Sequence, residues 1–284
     1  MRSPSFGRLP VRLSLTLALA TGCATAPAPE SLGPLRSETV VAVTDAAELI
    51  RFNAGQPQRI LQRAPLRGLE PGDWLIGIDY RVARGVLYAV SAGGRVYTLD
   101  ADSAQLSRIG SGAPVVFSGQ RFGVDFNPVA DRIRVVSDSG QNLRLHPDTG
   151  AVAATDPPLR TSGAAAAALR IAGAAYTYNK QDAKLTTNFA IDLASGTLMV
   201  QGSREGALPV VSPNTGELTA VGALGTGALE DAAFDIADIH NTAFAALRSG
   251  SRTRLHSVDL ATGRATLIGT VGEGRGLWGM AVMP

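Results

Sequence analysis

The chain has 284 residues, of which 45% are hydrophobic and 18% charged, and it contains one cysteine. This composition excludes a disordered polyelectrolyte, a disulfide-stabilised scaffold, a cysteine-based zinc module and a multi-pass membrane protein. Three of the 26 basic residues, Arg2, Arg8 and Arg12, lie in an N-terminal segment without acids, and the other 23 nearly balance the 24 acidic residues. The formal charge of +2 therefore does not indicate a nucleic-acid partner.

The N-terminus has the pattern of a secretory signal. The three arginines precede an apolar run at 13–20, and eight helical residues span about 12 Å, much less than the roughly 30 Å hydrocarbon core of a bilayer. The sequence Ala20-Thr21-Gly22-Cys23 follows, which resembles the end of a bacterial lipoprotein signal. We therefore expect residues 1–22 to be a signal peptide and Cys23 to carry a lipid. The alternative is a cysteine that merely lies near an ordinary cleavage site.

A tether and one large domain are predicted after this cysteine. Residues 23–37 begin with small residues and prolines, as expected of a lipidated tether, and residues 38–284 form the domain. The domain has no thiol, which suits an oxidising compartment. Ala24, in place of an aspartate, favours the outer membrane by resemblance to Gram-negative lipoproteins. We expect a monomer that contacts the membrane through its N-terminal lipid only.

The predicted domain is an internal repeat of short strands. Copies begin at Leu87, Ile133 and Phe244, with a partial copy at Asn188 and a degenerate one at Val40. Each combines strands of alternating apolar and polar residues with tight turns. The connectors contain an aspartate that can bind its own backbone and a glycine that can adopt positive φ. We therefore interpret the connector aspartates as turn residues, namely Asp100, Asp192 and Asp259.

A further short strand precedes each full or partial copy. These strands start at Gly77, Gly123, Gly173 and Ala233, which are 46, 50 and 60 residues apart. Four strands per unit at a period near 50 residues are typical of a β-propeller blade. The sequence therefore predicts an all-β fold, a β-propeller of four-stranded antiparallel blades.

The two ends of the domain are predicted to complete one blade together. The C-terminal segment 279–284 matches the first strand at 123–128, whereas the copy near Val40 has no first strand. Pairing these segments would close the ring and remove exposed sheet edges. The prediction is five blades, or six if the long unit at 173–231 contains two. An alanine-rich stretch at 161–171 is interpreted as an insertion between the third and fourth units.

Three aspartates form the one candidate site that the repeat brings together. Asp79, Asp125 and Asp235 occupy the same place in three first strands, and Ala281 and Ala175 occupy it in the other two. Because first strands line the channel of a propeller, three carboxylates could converge there and bind a hard cation such as calcium, or a polyol. The structural alternative, which we favour, is that each carboxylate binds backbone N–H groups of the neighbouring blade. No resident cofactor is expected.

Motifs of common enzyme classes are missing from the sequence. His146, His240 and His256 do not have the spacing of metal ligands, and there is no Gly-x-Ser-x-Gly nucleophile motif. The Gly-Thr-Gly at 225–227 and the Gly-Glu-Gly at 272–274 do not open a patterned helix, so neither predicts a phosphate site. The sequence leaves open whether the chain is an enzyme, and the lack of these motifs favours a protein that is not one.

The central run of the domain resembles a known family. Segment 122–156, which begins Phe-Gly-Val-Asp-Phe-Asn-Pro, is similar to the bacterial domain-of-unknown-function 4394 family. Support comes from the segments that start at Gly77, Leu87, Leu218, Phe234 and Val258. His146 stands where asparagine is common in that family. The resemblance implies a secreted or surface-associated propeller-like domain, and it implies no activity and no catalytic residues.

Two functional hypotheses follow. The first is a lipid-anchored, non-enzymatic module of the cell envelope that binds a protein, a peptide or a glycan. The second is a metal-assisted hydrolase or lyase that acts on a sugar or a lactone through the channel carboxylates, an idea that rests on analogy between propeller folds. The two hypotheses differ in what lines the channel and whether those groups converge.

Overall fold

The computed structural model describes residues 30–161 and 169–284, as well as Met1. The predicted signal peptide, Cys23 and most of the alanine-rich stretch lie outside these residues. The early strands are β1 (Thr39–Thr44), β2 (Glu48–Asn53), β3 (Ile60–Pro65), β4 (Leu75–Arg81), β5 (Val86–Ser91), β6 (Val96–Leu99) and β7 (Leu106–Ile109). The middle strands are β8 (Phe122–Asn127), β9 (Arg132–Ser137), β10 (Asn142–Leu145), β11 (Val152–Thr155), β12 (Arg160–Thr161), β13 (Ile171–Tyr176), β14 (Asn188–Asp192), β15 (Thr197–Gln201) and β16 (Glu217–Ala223). The last strands are β17 (Asp231–Ile236), β18 (Ala243–Ser249), β19 (Arg252–Val258), β20 (Ala265–Thr270) and β21 (Leu277–Val282).

These strands form five sheets, which are the blades of a five-bladed β-propeller. Blade 1 has the order β21-β1-β2-β3, blade 2 β4-β5-β6-β7, blade 3 β8-β9-β10-β11 and blade 5 β17-β18-β19-β20. Blade 4 has the order β13-β14-β15-β16 with β12 added at its outer edge. The four main strands of every blade pair antiparallel, as the repeat predicts. Two single-turn 3-10 segments, Val82–Arg84 and Pro213–Thr215, are the helical parts of the described residues, and no helix there is long and apolar enough to cross a membrane.

The C-terminal strand closes the ring as predicted. Strand β21 pairs antiparallel with β1, so that Val40 faces Val282 and Ala42 faces Met280. Met283 N also donates to the carbonyl oxygen of Thr39 at 2.9 Å. Blade 1 is thereby built from both ends of the domain, and β1 is not left as an open edge.

The core lies between the blades. Five buried apolar clusters each join two neighbouring blades, because strand residues that alternate in direction present apolar faces to both sides. The smallest cluster, with seven buried residues, lies between blades 3 and 4. The fully buried Arg134 supplements it by donating to Tyr176 Oη at 2.6 Å and to Asn214 Oδ1 at 2.6 Å, and it forms an ion pair with Asp156 at 3.2 Å.

The long fourth unit is a single blade, so the alternative of six blades is wrong. Its additional residues lie in the loops 177–187 and 202–216, and strands β13 to β16 belong to one sheet. The sequence pattern did not predict β12, which pairs parallel with β16 through only two residues, Arg160 and Thr161. Two residues are too few to show a periodic pattern.

The ring has two faces. The upper face is the side on which the innermost strands β4, β8, β13, β17 and β21 begin, and the lower face is the side on which they end.

Part of the predicted tether packs against the propeller instead of standing free. Arg36 N donates to Asn53 Oδ1 at 3.0 Å, and Gln56 Nε2 donates to the carbonyl oxygen of Gly33 at 2.8 Å, both at lower-face loops. Glu30 accepts hydrogen bonds from Thr270 N and Oγ1 at 2.7 and 2.6 Å.

Candidate functional site

The innermost strands approach one another very closely along the channel. A Cβ atom at Gly123 would lie 2.5 Å from the backbone of β13, and one at Gly279 would lie 2.7 Å from Ile78 N of β4. Real side chains do not tolerate such distances, so glycine permits the narrow ring. These glycines separate the channel into an upper and a lower mouth.

The three predicted aspartates meet at the lower mouth. Carboxylate oxygens of Asp79, Asp125 and Asp235 lie within 4.8 Å of one another, and all three side chains are buried. They line a cavity of about 30 Å³, which has room for about one water molecule. The equivalent residues Ala175 and Ala281 lie in β13 and β21. Convergence in the channel and bonding to the next blade are not alternatives in this protein, because the structure shows both together.

Each aspartate binds the innermost strand of the next blade. The Oδ2 atoms of Asp79, Asp125 and Asp235 accept main-chain N–H bonds at 2.6 Å. The donors are Phe126, Tyr176 and Val282, each one residue beyond the equivalent aspartate or alanine position. These bonds tie blade 2 to 3, blade 3 to 4 and blade 5 to 1.

Two of the aspartates also bind their own strands. Asp79 Oδ1 accepts from Tyr80 N at 2.7 Å, and Asp235 Oδ1 accepts from Ile236 N at 2.6 Å. All five main-chain N–H groups at this level of the ring, one per blade, therefore have a carboxylate acceptor. Three aspartates suffice because each carboxylate has two oxygens, and this explains why alanine is tolerated in the other two blades.

Of the six carboxylate oxygens of the three aspartates, the one that remains is Oδ1 of Asp125. Among the described residues no main-chain N–H donates to Asp125 Oδ1, whereas Asp79 and Asp125 share a side-chain hydrogen bond. A hydrogen bond between two carboxyl groups requires a proton on one of them. Asp125 is the group best placed to carry this proton, because it accepts only one N–H bond and the charges of both other carboxylates disfavour its ionised form.

The cluster holds protons at higher pH than ordinary carboxyl groups do. Burial raises the pKa of Asp79 to about 6 and the pKa of Asp235 to about 8. Burial raises the pKa of Asp125 well above its usual range, and the neighbouring Asp79 carboxylate raises it further. Low polarity and like charges both disfavour the ionised form, whereas the N–H bonds and, for Asp79, the hydrogen bond from Asp125 oppose them.

A larger cavity opens at the upper mouth. Its volume is about 340 Å³, and it lies above the glycines of the innermost strands. Both tryptophans of the chain, Trp74 and Trp278, line it, and Trp74 is half exposed. The polar side chains around it are those of Asp45, Gln120, Arg121, Asp231 and Arg248.

Charged groups of both signs surround this cavity. Arg121 reaches from blade 3 to blade 5, where its Nε lies 3.3 Å from Asp231 Oδ2 and donates to the carbonyl oxygen of Glu230 at 3.2 Å. Arg248 Nε lies 3.5 Å from Glu230 Oε2. Burial raises the pKa of Asp231 to about 6, although the Arg121 cation acts in the opposite direction. The upper mouth therefore offers donors, acceptors and aromatic surface side by side.

Sequence reasoning did not identify this upper mouth. Gln120 and Arg121 lie in a connection that precedes an innermost strand, and these connections differ in sequence from blade to blade. Asp45 and Arg248 come from other places in the repeat, the turn after β1 and strand β18. The sequence offered one signal for this site, the position of its two tryptophans. Each of them lies within three residues of a glycine of an innermost strand.

The turn residues behave as predicted from the repeat. Asp100 Oδ1 accepts from Ser103 N at 2.7 Å, and Asp259 Oδ1 accepts from Ala261 N at 2.8 Å. Asp192 accepts from Ala194 N at 3.2 Å in the same kind of turn. His146 occupies the equivalent place in blade 3, where its Nδ1 accepts from Asp148 N at 3.2 Å. It has this structural role in place of an aspartate.

Comparison with models of known families identifies the family of this chain. The model of the family described as "Domain of unknown function (DUF4394)" matches residues 48–281, and the chain belongs to this family. No curated protein matches the sequence.

Solved structures resemble this chain at low similarity. Glutaminyl cyclase from Myxococcus xanthus is 13% identical, with a TM-score of 0.45 over 75% of this chain and 83% of that chain. A protein of unknown function from Bacteroides thetaiotaomicron is 14% identical, with a TM-score of 0.49 over 83% and 61% of the two chains. TolB from Acinetobacter baumannii is 15% identical, with a TM-score of 0.43 over 87% and 67%. Such similarity transfers no activity to this chain.

Proposed function

We propose that this protein is a lipid-anchored module of the cell envelope that binds a glycan at its upper mouth without chemical turnover. The N-terminal signal directs export, Cys23 carries the lipid, and the outer membrane is the expected location of the monomer. No resident cofactor is needed for this role. The observation that carries the proposal is the cavity of about 340 Å³ that contains both tryptophans of the chain.

The chemistry of the upper mouth favours a neutral sugar. A sugar has an apolar C–H face that can lie on an indole ring, and its hydroxyl groups both donate and accept hydrogen bonds. The guanidinium groups of Arg121 and Arg248 donate, and the carboxylates of Asp45 and Asp231 accept. The two signs of charge balance, so the lining does not select an ion. The volume lies near the lower end of the range for small-ligand sites, which suits one or two sugar units.

The test uses the tryptophans as reporters. Because both line the proposed site, titration of the full chain with neutral monosaccharides and their β-linked oligomers should change the intrinsic tryptophan fluorescence, and this change should saturate as the sugar concentration rises. Trp74→Ala should weaken binding by tenfold or more, a loss of about 1.4 kcal/mol or greater. Val116→Ala is the matched control, since Val116 is exposed on the same face but does not line the cavity. A panel without saturable binding, or equal affinity for Trp74→Ala and wild type, would refute the glycan site. Binding of peptides instead would identify the other ligand class.

The lower mouth supports a second, weaker candidate, a metal-assisted hydrolase or lyase. The raised pKa values of Asp79, Asp125 and Asp235 are of the kind found at active sites. Five of the six carboxylate oxygens already accept a main-chain N–H, however, and the cavity of about 30 Å³ is too small for a sugar. Calcium-dependent hydrolysis of a lactone that disappears in Asp125→Asn would favour this candidate over the binding module.

A further inference from the structure

Exposed aliphatic side chains are concentrated on the lower face of the propeller. Between residues 30 and 284, twelve large apolar side chains of the described residues are exposed, and the upper face has two of them, Trp74 and Val116. Three others lie in outer strands. The remaining seven belong to lower-face loops or to the N-terminal segment that packs there, namely Leu32, Leu35, Val129, Leu185, Leu208, Val210 and Ile239.

The arrangement of these side chains fits a flat partner. They lie on loops of blades 3, 4 and 5 and beside blade 1, around the ring and not within one groove. Leu208 and Val210 are the most exposed, at 89% and 77%, at the tip of the long loop of blade 4. The only two lysines of the chain, Lys180 and Lys184, are exposed in the adjacent lower-face loop. Aliphatic tips beside flexible ammonium groups are typical of surfaces that sit in the headgroup region of a bilayer.

The length of chain before the propeller points to the same partner. Residues 33–38 pack against lower-face loops, and Glu30 binds Thr270 at the end of the outer strand β20, so only seven residue steps connect Cys23 to the propeller surface at Glu30. Seven fully extended steps reach about 25 Å at most, similar to the roughly 18 Å radius of gyration of a domain of this size. A lipid at Cys23 would therefore hold the propeller in contact with the bilayer surface.

We propose that the lower face of the propeller docks on the lipid bilayer, with the aliphatic loop tips in the headgroup region and the upper mouth turned away from the membrane. This inference rests on the proposed lipid anchor and extends it from a single attachment point to a defined orientation. In this orientation the larger cavity of the upper mouth faces away from the bilayer. The partner is the lipid surface itself and not a second protein.

The experiment places a fluorescent probe on either face. Leu208→Cys and Val116→Cys are matched variants, because the parent residues are similarly exposed, at 89% and 84%, but lie on opposite faces. Ile239→Cys provides a second lower-face position on another blade. The full lipidated chain, labelled with an environment-sensitive dye, is reconstituted in vesicles of phosphatidylethanolamine and phosphatidylglycerol that contain nitroxide-labelled lipid. Thermal melts check that each variant is folded.

Opposite behaviour of the two faces is expected. Lipid nitroxide should quench the probes at 208 and 239 severalfold more strongly than the probe at 116, and their emission should shift to the blue. Equal quenching on both faces, or stronger quenching at 116, would overturn the docking proposal. The mass of the purified chain reports separately on the lipid at Cys23. If that lipid is absent, the anchor is refuted, and the same probes in the Cys23→Ser chain decide whether the lower face binds vesicles by itself. Absence of quenching there would refute docking as well.

Discussion

Replacing each channel aspartate by asparagine should have unequal effects, although the three positions are equivalent in the repeat. In Asp125→Asn, the amide oxygen can accept the Tyr176 N–H, and the amide NH₂ can donate to Asp79 as the protonated carboxyl does. In Asp79→Asn, one of two acceptor oxygens becomes a donor that faces a main-chain N–H, of either Tyr80 or Phe126. Asp235→Asn creates the same conflict.

The expected magnitude follows from the buried N–H group that loses its acceptor. An unsatisfied buried donor costs about 1–3 kcal/mol, whereas an amide that preserves the pattern of donors and acceptors costs about 0.5 kcal/mol or less. At pH 5 the cluster is largely protonated, so repulsion between carboxylates contributes little there. Asp79→Asn and Asp235→Asn should then lose about 1–3 kcal/mol of unfolding free energy more than Asp125→Asn.

The dependence on pH gives a second, independent readout. The folded-state pKa values of Asp79 and Asp235, about 6 and about 8, lie above the usual value near 3.9 of the unfolded chain. Raised folded-state values mean that the wild type is most stable below about pH 4 as far as this cluster is concerned, and loses stability as the pH rises towards 8. For Asp79 the shift from 3.8 to about 6 corresponds to about 3 kcal/mol. Asp125→Asn removes one charge from the cluster and should flatten this loss, so the variant should exceed the wild type in stability at pH 8.

Urea unfolding of the wild type and the three asparagine variants at pH 5 and pH 8 measures both effects. Asp125→Ala serves as a further control, because it removes the acceptor for Tyr176 N–H and should be less stable than Asp125→Asn at either pH. If Asp125→Asn is destabilised at pH 5 as much as Asp79→Asn and Asp235→Asn, the proton is not held where the hydrogen bonds indicate. A wild type whose stability rises between pH 5 and pH 8 would contradict the shared proton, once the similar contribution of Asp231 and the opposite contribution of His256, whose pKa burial lowers, are allowed for.

Four further outcomes are expected. Deletion of 277–284 should give insoluble or strongly destabilised protein in expression and melting assays, because β1 loses one of its two partner strands and blade 1 loses the inter-blade packing of Met280 and Val282. A soluble truncation of unchanged stability would refute closure. Calcium should leave the melting temperature of the wild type unchanged relative to chelator, and a rise that Asp125→Ala abolishes would show a cation site. Cys23→Ser should release the protein from the membrane fraction or leave its signal uncleaved, and normal retention would exclude the lipid anchor. Arg134→Ala should cost about 3–5 kcal/mol in urea unfolding, since it leaves buried acceptors unpaired between blades 3 and 4, and a loss below about 1 kcal/mol would show that water replaces the guanidinium.

The sequence by itself determined the class of fold and the closure of the ring, and it restricted the number of blades to five or six. These features depend on patterns of short range that repeat, such as the alternation along β5 and β9, the aspartate and glycine turns, and the match between 279–284 and 123–128. A repeat can be recognised without knowledge of any contact, because each blade solves the same packing problem with similar residues. The equivalence of Asp79, Asp125 and Asp235 was visible for the same reason.

The tertiary structure alone decided what those aspartates do and where other side chains meet. That three carboxylates satisfy five main-chain N–H groups depends on the spacing of five strands around a channel, which no segment encodes by itself. The upper mouth joins Trp74 to Trp278 across two hundred residues of sequence, and Arg121 reaches Asp231 only because the ring curves. Non-periodic connections leave no pattern to read, so the sites that they form appear only when the ring is closed.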